Sequence, residues 1–304
     1  MRPAARWIAI VVAGLVLAGA GPTTASAATG DLLRQIVADQ SFSCTPDVGI
    51  AFDGRDLFVT CALGNVIDVV RTSDGSLIRQ ITVSDARNLA AASFDRTRGQ
   101  LLVCSGFFQG SAAAFFESRL VDRSSGASQR EFFTNGCAFG LAADAADDTV
   151  YAAAAAPCRV DRFRRDGTLL ASHDVCALGA QTPSGLAVGT RQLFLGSFGG
   201  GVYVVDKGFT SASLLIPPST FPVSALACDD VTFAPKTALW VGTGIDRVLR
   251  ALEVPAGSCV FGGGVALPTS KEQCKSDGWR DFGFRNQGQC VSFVATGGKK
   301  PPPG

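Results

Sequence analysis

Histidine, methionine and glutamate are scarce in this chain: one histidine and one methionine occur in 304 residues, and glutamate appears only as Glu117, Glu131, Glu253 and Glu272. A Ser-His-Asp triad would have to be built on His173, and no G-x-S-x-G elbow is present to supply its nucleophile. None of the ten cysteines has C-x-x-C spacing, which argues against zinc ribbons and thioredoxin-like redox chemistry. Past residue 27 no apolar run approaches the ~20 residues of a membrane helix. Gly199-Gly200-Gly201 and Gly242-Thr243-Gly244 read as tight turns, without the strand-to-helix setting of nucleotide loops. Charge is nearly balanced, with 27 basic and 26 acidic residues, so nothing favours nucleic acid as a partner.

The first 27 residues read as an export signal. Arg2 and Arg6 precede an apolar stretch from Trp7 to Ala20, too short to span a bilayer comfortably. Ala25-Ser26-Ala27 then fits the small-x-small cleavage pattern. Export places the chain in an oxidising compartment, where an even number of cysteines reads as disulfides. The expectation is a secreted, extracellular monomer with no membrane span once the signal is removed.

The body repeats itself. Gly49 to Val83 reads as four short strands joined by three turns, and the unit recurs with drift. Its first strand reappears as Ala91-Ala92-Ser93-Phe94-Asp95, Gly140-Leu141-Ala142-Ala143-Asp144 and Gly185-Leu186-Ala187-Val188-Gly189, with a looser copy at Asp230-Val231-Thr232-Phe233-Ala234. The second strand recurs around Phe58, Leu102, Val150, Phe194 and Leu239, at steps of 44, 48, 44 and 45 residues. A glycine follows every third strand (Gly75, Gly126, Gly167, Gly208, Gly257), suited to the positive φ of tight hairpins. Four strands per period in the forties define an all-β fold, a β-propeller. Five blades are favoured, with six as the alternative, because the fifth copy suggests a fourth strand of its own near Cys259 to Gly263. Asp31 to Asp39 (DLLRQIVAD) matches the fourth strand at Ser76 to Asp85 (SLIRQITVSD). It is expected to pair with the last blade and close the ring, covering a sheet edge.

The segments GIAFDGRDLFVT, GLAADAADDTVYAA and SGLAVGTRQLFLGS resemble the repeats of secreted bacterial NHL- and YVTN-type propellers, and the related gluconolactonase and streptogramin-lyase-like propellers. The likeness covers roughly residues 31–264. Residues 267–296 resemble a short Cys/Trp module at the C-terminus of secreted bacterial proteins. There, Cys274 and Cys290 would staple a hairpin-like unit around Trp279, Phe282 and Phe284. The expected organisation is a signal peptide (1–27), a propeller (28–266), the cysteine module (267–296) and a disordered tail (297–304).

In such a fold the crossings between blades and the loops joining second to third strands emerge on one face. Cys44, Cys137, Cys176 and Cys228 read as lying at crossings, and Cys61, Cys104 and Cys158 at or after second strands. Proximity pairs Cys104 with Cys137 and Cys158 with Cys176. Elimination adds Cys44–Cys61, Cys228–Cys259 and Cys274–Cys290. The same face holds the first-strand entrances, with Asp47, Asp85, Asn88, Asn135, Asp229 and Asp230 as candidate ligand contacts. Asp47, Asp229 and Asp230 could converge on calcium or magnesium, although Asp and Asn are also ordinary turn residues. The gluconolactonase resemblance implies a metal-holding Glu at an inner-strand start, and none of the four glutamates sits there. The streptogramin-lyase resemblance implies a histidine working with a metal, which would be His173. Phe107-Phe108 and Phe115-Phe116 flank an enlarged loop that suits a contact patch. The favoured function is a rigid, stapled binding module for a protein, glycan or small-molecule ligand. The alternative is a metal-dependent lactonase- or lyase-like enzyme at the channel mouth.

Overall fold

The computed structural model describes residues 29–37, 47–61, 64–86, 88–107, 115–134, 136–154, 158–180, 182–218, 222–244, 246–259, 270–275, 279, 284 and 286–296. The expected signal peptide, Cys44, Phe108, Asn135, Phe282 and the 297–304 tail lie outside these residues.

Twenty strands among the described residues form five four-stranded antiparallel sheets, the blades of a propeller. Blade one is β2 (Asp47–Phe52), β3 (Asp56–Cys61), β4 (Val66–Arg71) and β5 (Leu77–Thr82). Blade two is β6 (Leu89–Asp95), β7 (Gln100–Phe107), β8 (Phe115–Val121) and β9 (Ser128–Thr134). Blade three is β10 (Leu141–Asp144), β11 (Thr149–Ala154), β12 (Arg159–Arg164) and β13 (Leu169–Asp174). Blade four is β14 (Pro183–Val188), β15 (Gln192–Ser197), β16 (Val202–Asp206) and β17 (Ala212–Ile216). Blade five is β18 (Ala225–Asp229), β19 (Thr237–Gly242), β20 (Val248–Val254) and, from the other end of the chain, β1 (Leu32–Val37).

The expected closure by the N-terminal strand is therefore the one found, with Ile36 opposite Leu249 and Val37 opposite Val248. The place of a fourth strand in blade five is taken by β1, so the described strands make five blades instead of six, and the strand expected near Cys259 to Gly263 lies, past Cys259, outside the described residues. The C-terminal segment also differs from its expected hairpin. A short 3-10 turn (Glu272–Cys274) and helix α1 (Gln287–Ala295) are joined by Cys274–Cys290 around buried Phe284 and Phe293. Asn286 makes the helix by accepting the Gln289 N–H, replacing one of the bonds that a helix start lacks.

Burial explains the strand sequences. Second strands are sandwiched on both faces, and β11 and β19 are buried at every residue. They consequently read as continuous apolar runs instead of alternating ones. Outermost strands such as β13 are largely exposed. First strands crowd the axis: a Cβ on Gly49 would stand 2.4 Å from the Ala90 carbonyl oxygen, and one on Gly140 would stand 2.7 Å from the Leu186 Cβ. One apolar cluster lies between each neighbouring pair of blades. Phe52 and Trp240 belong to the cluster between blades one and five, Ile67 and Leu101 to that between one and two, and Leu102 and Leu141 to that between two and three. Tyr151 and Leu193 belong to the cluster between three and four, and Phe194 and Leu239 to that between four and five.

At the end of each first strand a second repeated device appears. Asp53, Asp95, Asp144 and Asp229 each accept backbone N–H groups of the turn that follows. Three of them also reach a cation on the next blade: Asp53 to Arg123 (2.6 Å), Asp95 to Arg165 (2.5 Å) and Asp144 to Lys207 (2.5 Å). The two remaining junctions are modified. At the fourth the acid is replaced by Gly189 and the cation by Ala256. There Thr190 donates instead to the Gly257 and Ser258 carbonyls, and a Cβ on Gly189 would meet the Ser258 oxygen at 2.3 Å. At the fifth the cation position is Thr72, and Asp229 takes the Trp240 indole N–H at 2.8 Å within its own blade.

Asp95 is 1% exposed whereas Asp148, which also pairs with Arg165, is 48% exposed. Asp95→Ala is expected to destabilise the protein by about 1–3 kcal/mol, because it removes a buried acceptor of the Arg98 N–H and of Arg165, whose guanidinium keeps Glu131 and Asp148. Asp148→Ala should cost about 1 kcal/mol or less. Urea unfolding of the oxidised variants checks the contrast.

Candidate functional site

The first strands run side by side around the axis, so their starts define an upper end of the channel and their ends a lower one. At the upper end Ile50, Leu141, Leu186 and Leu226, among glycines and alanines, leave no room for a water molecule. The Thr60 hydroxyl donates to the Ala90 carbonyl and the Ser184 hydroxyl to the Val223 carbonyl, knitting that end together. Toward the lower end the channel widens to a cavity of about 50 Å³, against ~300–1,000 Å³ for ordinary small-molecule pockets. Its walls are mainly apolar (Phe52, Phe94, Val188, Leu226 and Cys228), with Arg96 and Asp144 as the charged members.

This geometry redistributes the expected ligand residues. Asp47 stands at the upper end opposite Cys61 in register. Asp85 is tied to the outer part of blade two: it accepts from the Ser128 hydroxyl at 2.6 Å and pairs with Arg119, and these bonds hold its carboxyl below the usual range. Asn88 is a left-handed turn residue (φ 50°) whose amide donates to the Gly106 carbonyl at 3.2 Å. Asp229 and Asp230 are at the opposite end of their first strand from Asp47 in its own, so the three positions do not share one end of the channel. The first strand of blade five is Ala225–Asp229, five residues ahead of the stretch that resembles it in sequence. Asp229 is fully buried, with both oxygens engaged by the turn backbone and by Trp240.

His173 lies on β13, the outermost strand of blade three, away from the axis. Its ring stacks on Phe209 of the next blade, with centroids 3.9 Å apart and planes parallel. Phe209 replaces glycine as the left-handed residue of its turn, at φ 53°. Burial, and after it the charge of Arg162, pushes the His173 imidazole below its ordinary value. This stack gives His173 a packing role on the outermost strand, away from the channel.

The cystines are Cys104–Cys137, Cys158–Cys176, Cys228–Cys259 and Cys274–Cys290, the pairs that loop position and elimination give. Cys61 is also bonded, and its expected partner Cys44 lies outside the described residues. Cys228 differs in placement: it sits inside β18 one residue from its lower end, so its bridge braces the lower face instead of the upper. Among the described residues the metal-like grouping of Cys158, Asp174 and Cys176 has ligand atoms within 4.8 Å of one another. Its two sulfurs are bonded to each other and offer no thiolate. Phe116 packs against the core between blades two and three, so that member of the expected aromatic patch is structural.

Two features escape a reading of the sequence by motif. Phe139 and Phe198 meet edge to face across blades three and four on the upper face (5.4 Å, 80°), with Phe198 45% exposed. Arg96 occupies the position after a strand-end acid, which is Gly54, Ala145, Thr190 and Asp230 in the other repeats. Aligning the repeats by that acid is the signal that exposes it.

The sequence matches no protein-family model and no curated protein. Among solved structures the chain is similar to the PQQ-bound form of aldose sugar dehydrogenase from Streptomyces coelicolor, with TM-score 0.46 and 12% identity over 74% of this chain and 98% of that one. It is similar to streptogramin B lyase, with TM-score 0.42 and 12% identity over 71% of this chain and 68% of that one. A third similarity is to the nidogen/laminin complex, with TM-score 0.46 and 13% identity over 65% of this chain and 76% of that one. These likenesses concern the fold alone. The chain is a β-propeller, as the NHL- and YVTN-type resemblance implies, and its described strands make five blades.

Cys176 is exposed and Cys158 half-buried, whereas the other three described bridges are buried. Access limits thiol–disulfide exchange, so brief reduction with dilute dithiothreitol followed by iodoacetamide should label Cys158 and Cys176 first, read by peptide mass spectrometry. The lowered His173 value means that the fold favours the neutral ring. Its contribution to stability is complete above the free-histidine value of 6.5 and is lost as pH falls through the lower folded value. His173→Phe should keep the stack and flatten the dependence of Tm on pH below 6.5.

Proposed function

We propose that the protein is an exported binding module whose upper face meets a protein, glycan or small-molecule partner. In this reading residues 1–27 are the signal peptide, the propeller is the binding domain and the C-terminal cysteine module is an accessory segment, all in the extracellular space. One observation carries it: Cys104–Cys137 and Cys158–Cys176 clamp blade crossings to the strands beside them above a channel with no room for water at that end. Such a face is a preorganised platform that loses little conformational freedom on binding. The exposed Phe198, braced by Phe139, gives it an aromatic contact. The engagement of Asp85, Asn88 and Asp229 in internal bonds supports a platform over a metal-dependent enzyme.

Glycan and peptide arrays probed with the labelled, oxidised protein test the proposal. Binding should be lost in Phe198→Glu on the upper face and kept in Asp147→Ala on the lower. A ligand unaffected by Phe198→Glu places the platform elsewhere. A metal-dependent enzyme would instead gain stability from calcium or magnesium, about 2.7 kcal/mol at a hundredfold excess over Kd, and would turn over a lactone. Either result overturns the binding-module reading.

A further inference from the structure

On the upper face of blade three, Cys158, Asp174 and Cys176 bring two sulfurs and a carboxylate oxygen within 4.8 Å of one another. While the bridge stands, the sulfurs offer no thiolate. It is also the accessible bridge: Cys176 and Asp174 are exposed and Cys158 is half-buried, whereas the other three described bridges are buried. An external thiolate can therefore reach Cys176 Sγ and open the bridge by exchange.

Opening it leaves the three residues together, because backbone bonds hold them. The Val175 N–H donates to the Cys158 carbonyl at 3.3 Å, and the Val175 carbonyl accepts the N–H groups of Leu178 and Ala180 at 3.2 and 3.0 Å. Val175 and Ala180 are anchored in the apolar cluster between blades three and four. Asp174 stands opposite Arg159 in register, one residue from Cys158. Its Oδ1 accepts the Ala177 N–H at 3.0 Å, which orients the carboxylate and leaves Oδ2 for a ligand. Metal-holding carboxylates are commonly fixed in this way. The Cα atoms of the two cysteines are 5.8 Å apart. Rotation about their Cα–Cβ bonds lets two free sulfurs take the ~3.8 Å separation of a tetrahedral zinc with Zn–S of ~2.3 Å.

We propose that this bridge is reversible and that, once reduced, Cys158, Cys176 and Asp174 bind one zinc ion. A small dithiol attacks Cys176 Sγ through its thiolate, the Cys158–Cys176 bond breaks, and Cys158 leaves as a thiolate. The second thiol of the reductant then displaces Cys176 from the mixed disulfide. The dithiol is oxidised by two electrons to a cyclic disulfide, and the cystine gains those electrons and two protons. Zinc replaces the two thiol protons, which pass to solvent. Two soft thiolates beside one carboxylate suit zinc, whereas calcium and magnesium take oxygen shells. The fourth position faces solvent between exposed Cys176 and Asp174. The upper face thus exchanges a covalent clamp for a coordinate one. The site shares this bridge with the platform proposed above, but its test reads a metal and no partner, so either can fail without the other.

The test is cobalt(II) titration of the full-length protein after brief reduction with dithiothreitol and anaerobic desalting, with the oxidised protein alongside. The reduced protein is expected to develop thiolate-to-cobalt charge-transfer absorption that saturates at a single equivalent and is bleached by zinc. The oxidised protein should show none. Iodoacetamide labelling and peptide mass spectrometry of the same sample should identify Cys158–Cys176 as the opened bridge. The double variant Cys158→Ala, Cys176→Ala should abolish the absorption. Asp174→Asn keeps both cysteines and an acceptor for the Ala177 N–H, and should weaken zinc at least tenfold in competition with a chelator. It covers the case in which the double variant fails to fold. Four results overturn the proposal: no absorption in protein reduced at Cys158 and Cys176, absorption in the oxidised protein or the double variant, earlier opening of a buried bridge, or zinc affinity unchanged in folded Asp174→Asn.

Discussion

The aspartate that closes four of the five first strands does two things at once. It fixes the turn that reverses the chain into the second strand, and in three of five junctions it reaches across to a cation of the next blade. Apolar packing between blades is non-directional and would tolerate a small rotation of one sheet over another. A short ion pair anchored to a backbone turn does not, because its geometry has one minimum. The two junctions without it show the same logic from the other side. Where the cation is missing, the acid is satisfied by an indole from its own sheet. Where the acid is missing, glycine lets two backbones approach closely enough to bond directly.

This arrangement sorts polar chemistry to one end of the barrel-like stack. The turns at the lower end carry the ion-pair ladder, from Asp53 and Arg123 round to Asp144 and Lys207. At the upper end, cystines and aromatic or small residues dominate the described positions, such as Cys137, Phe139 and Phe198. The channel follows suit. It is shut where the strands enter, because Gly49, Gly140 and Gly185 let them converge, and it opens where side chains grow to Phe52, Phe94 and Arg96.

The repeat period, the turn glycines and the likeness of DLLRQIVAD to SLIRQITVSD made the propeller and its closing strand legible, since each is a local property of the chain. Frame was harder. The first hairpin of blade five runs from Asp229 to Thr237, longer than its counterparts, and Val231-Thr232-Phe233 inside it has the composition of a strand. Phe233 instead packs on Trp240. Shifting the frame by five residues moved Asp229, Asp230 and Cys228 to the wrong end of the channel, although the pairing of Cys228 with Cys259 survived. His173 was legible as scarce but not as stacked, because its partner Phe209 belongs to another blade. Arg96 was hidden for a related reason: its significance lies in the four neighbours it differs from, and only superposed repeats bring them together.

Closure by β1 sets an order on events. Leu32 pairs with Leu252, so the strand synthesised first completes the sheet synthesised last. Blades one to four can each pair their own strands as the chain appears, with short loops and little entropy to overcome. The fifth cannot, and until it is joined β20 presents an open row of backbone donors and acceptors to any passing strand. Ring formation is therefore a single late event of long sequence separation, and a half-made molecule is a four-bladed arc with one unpaired edge at each end of its history: β1 waiting for a partner, then β20 waiting for β1.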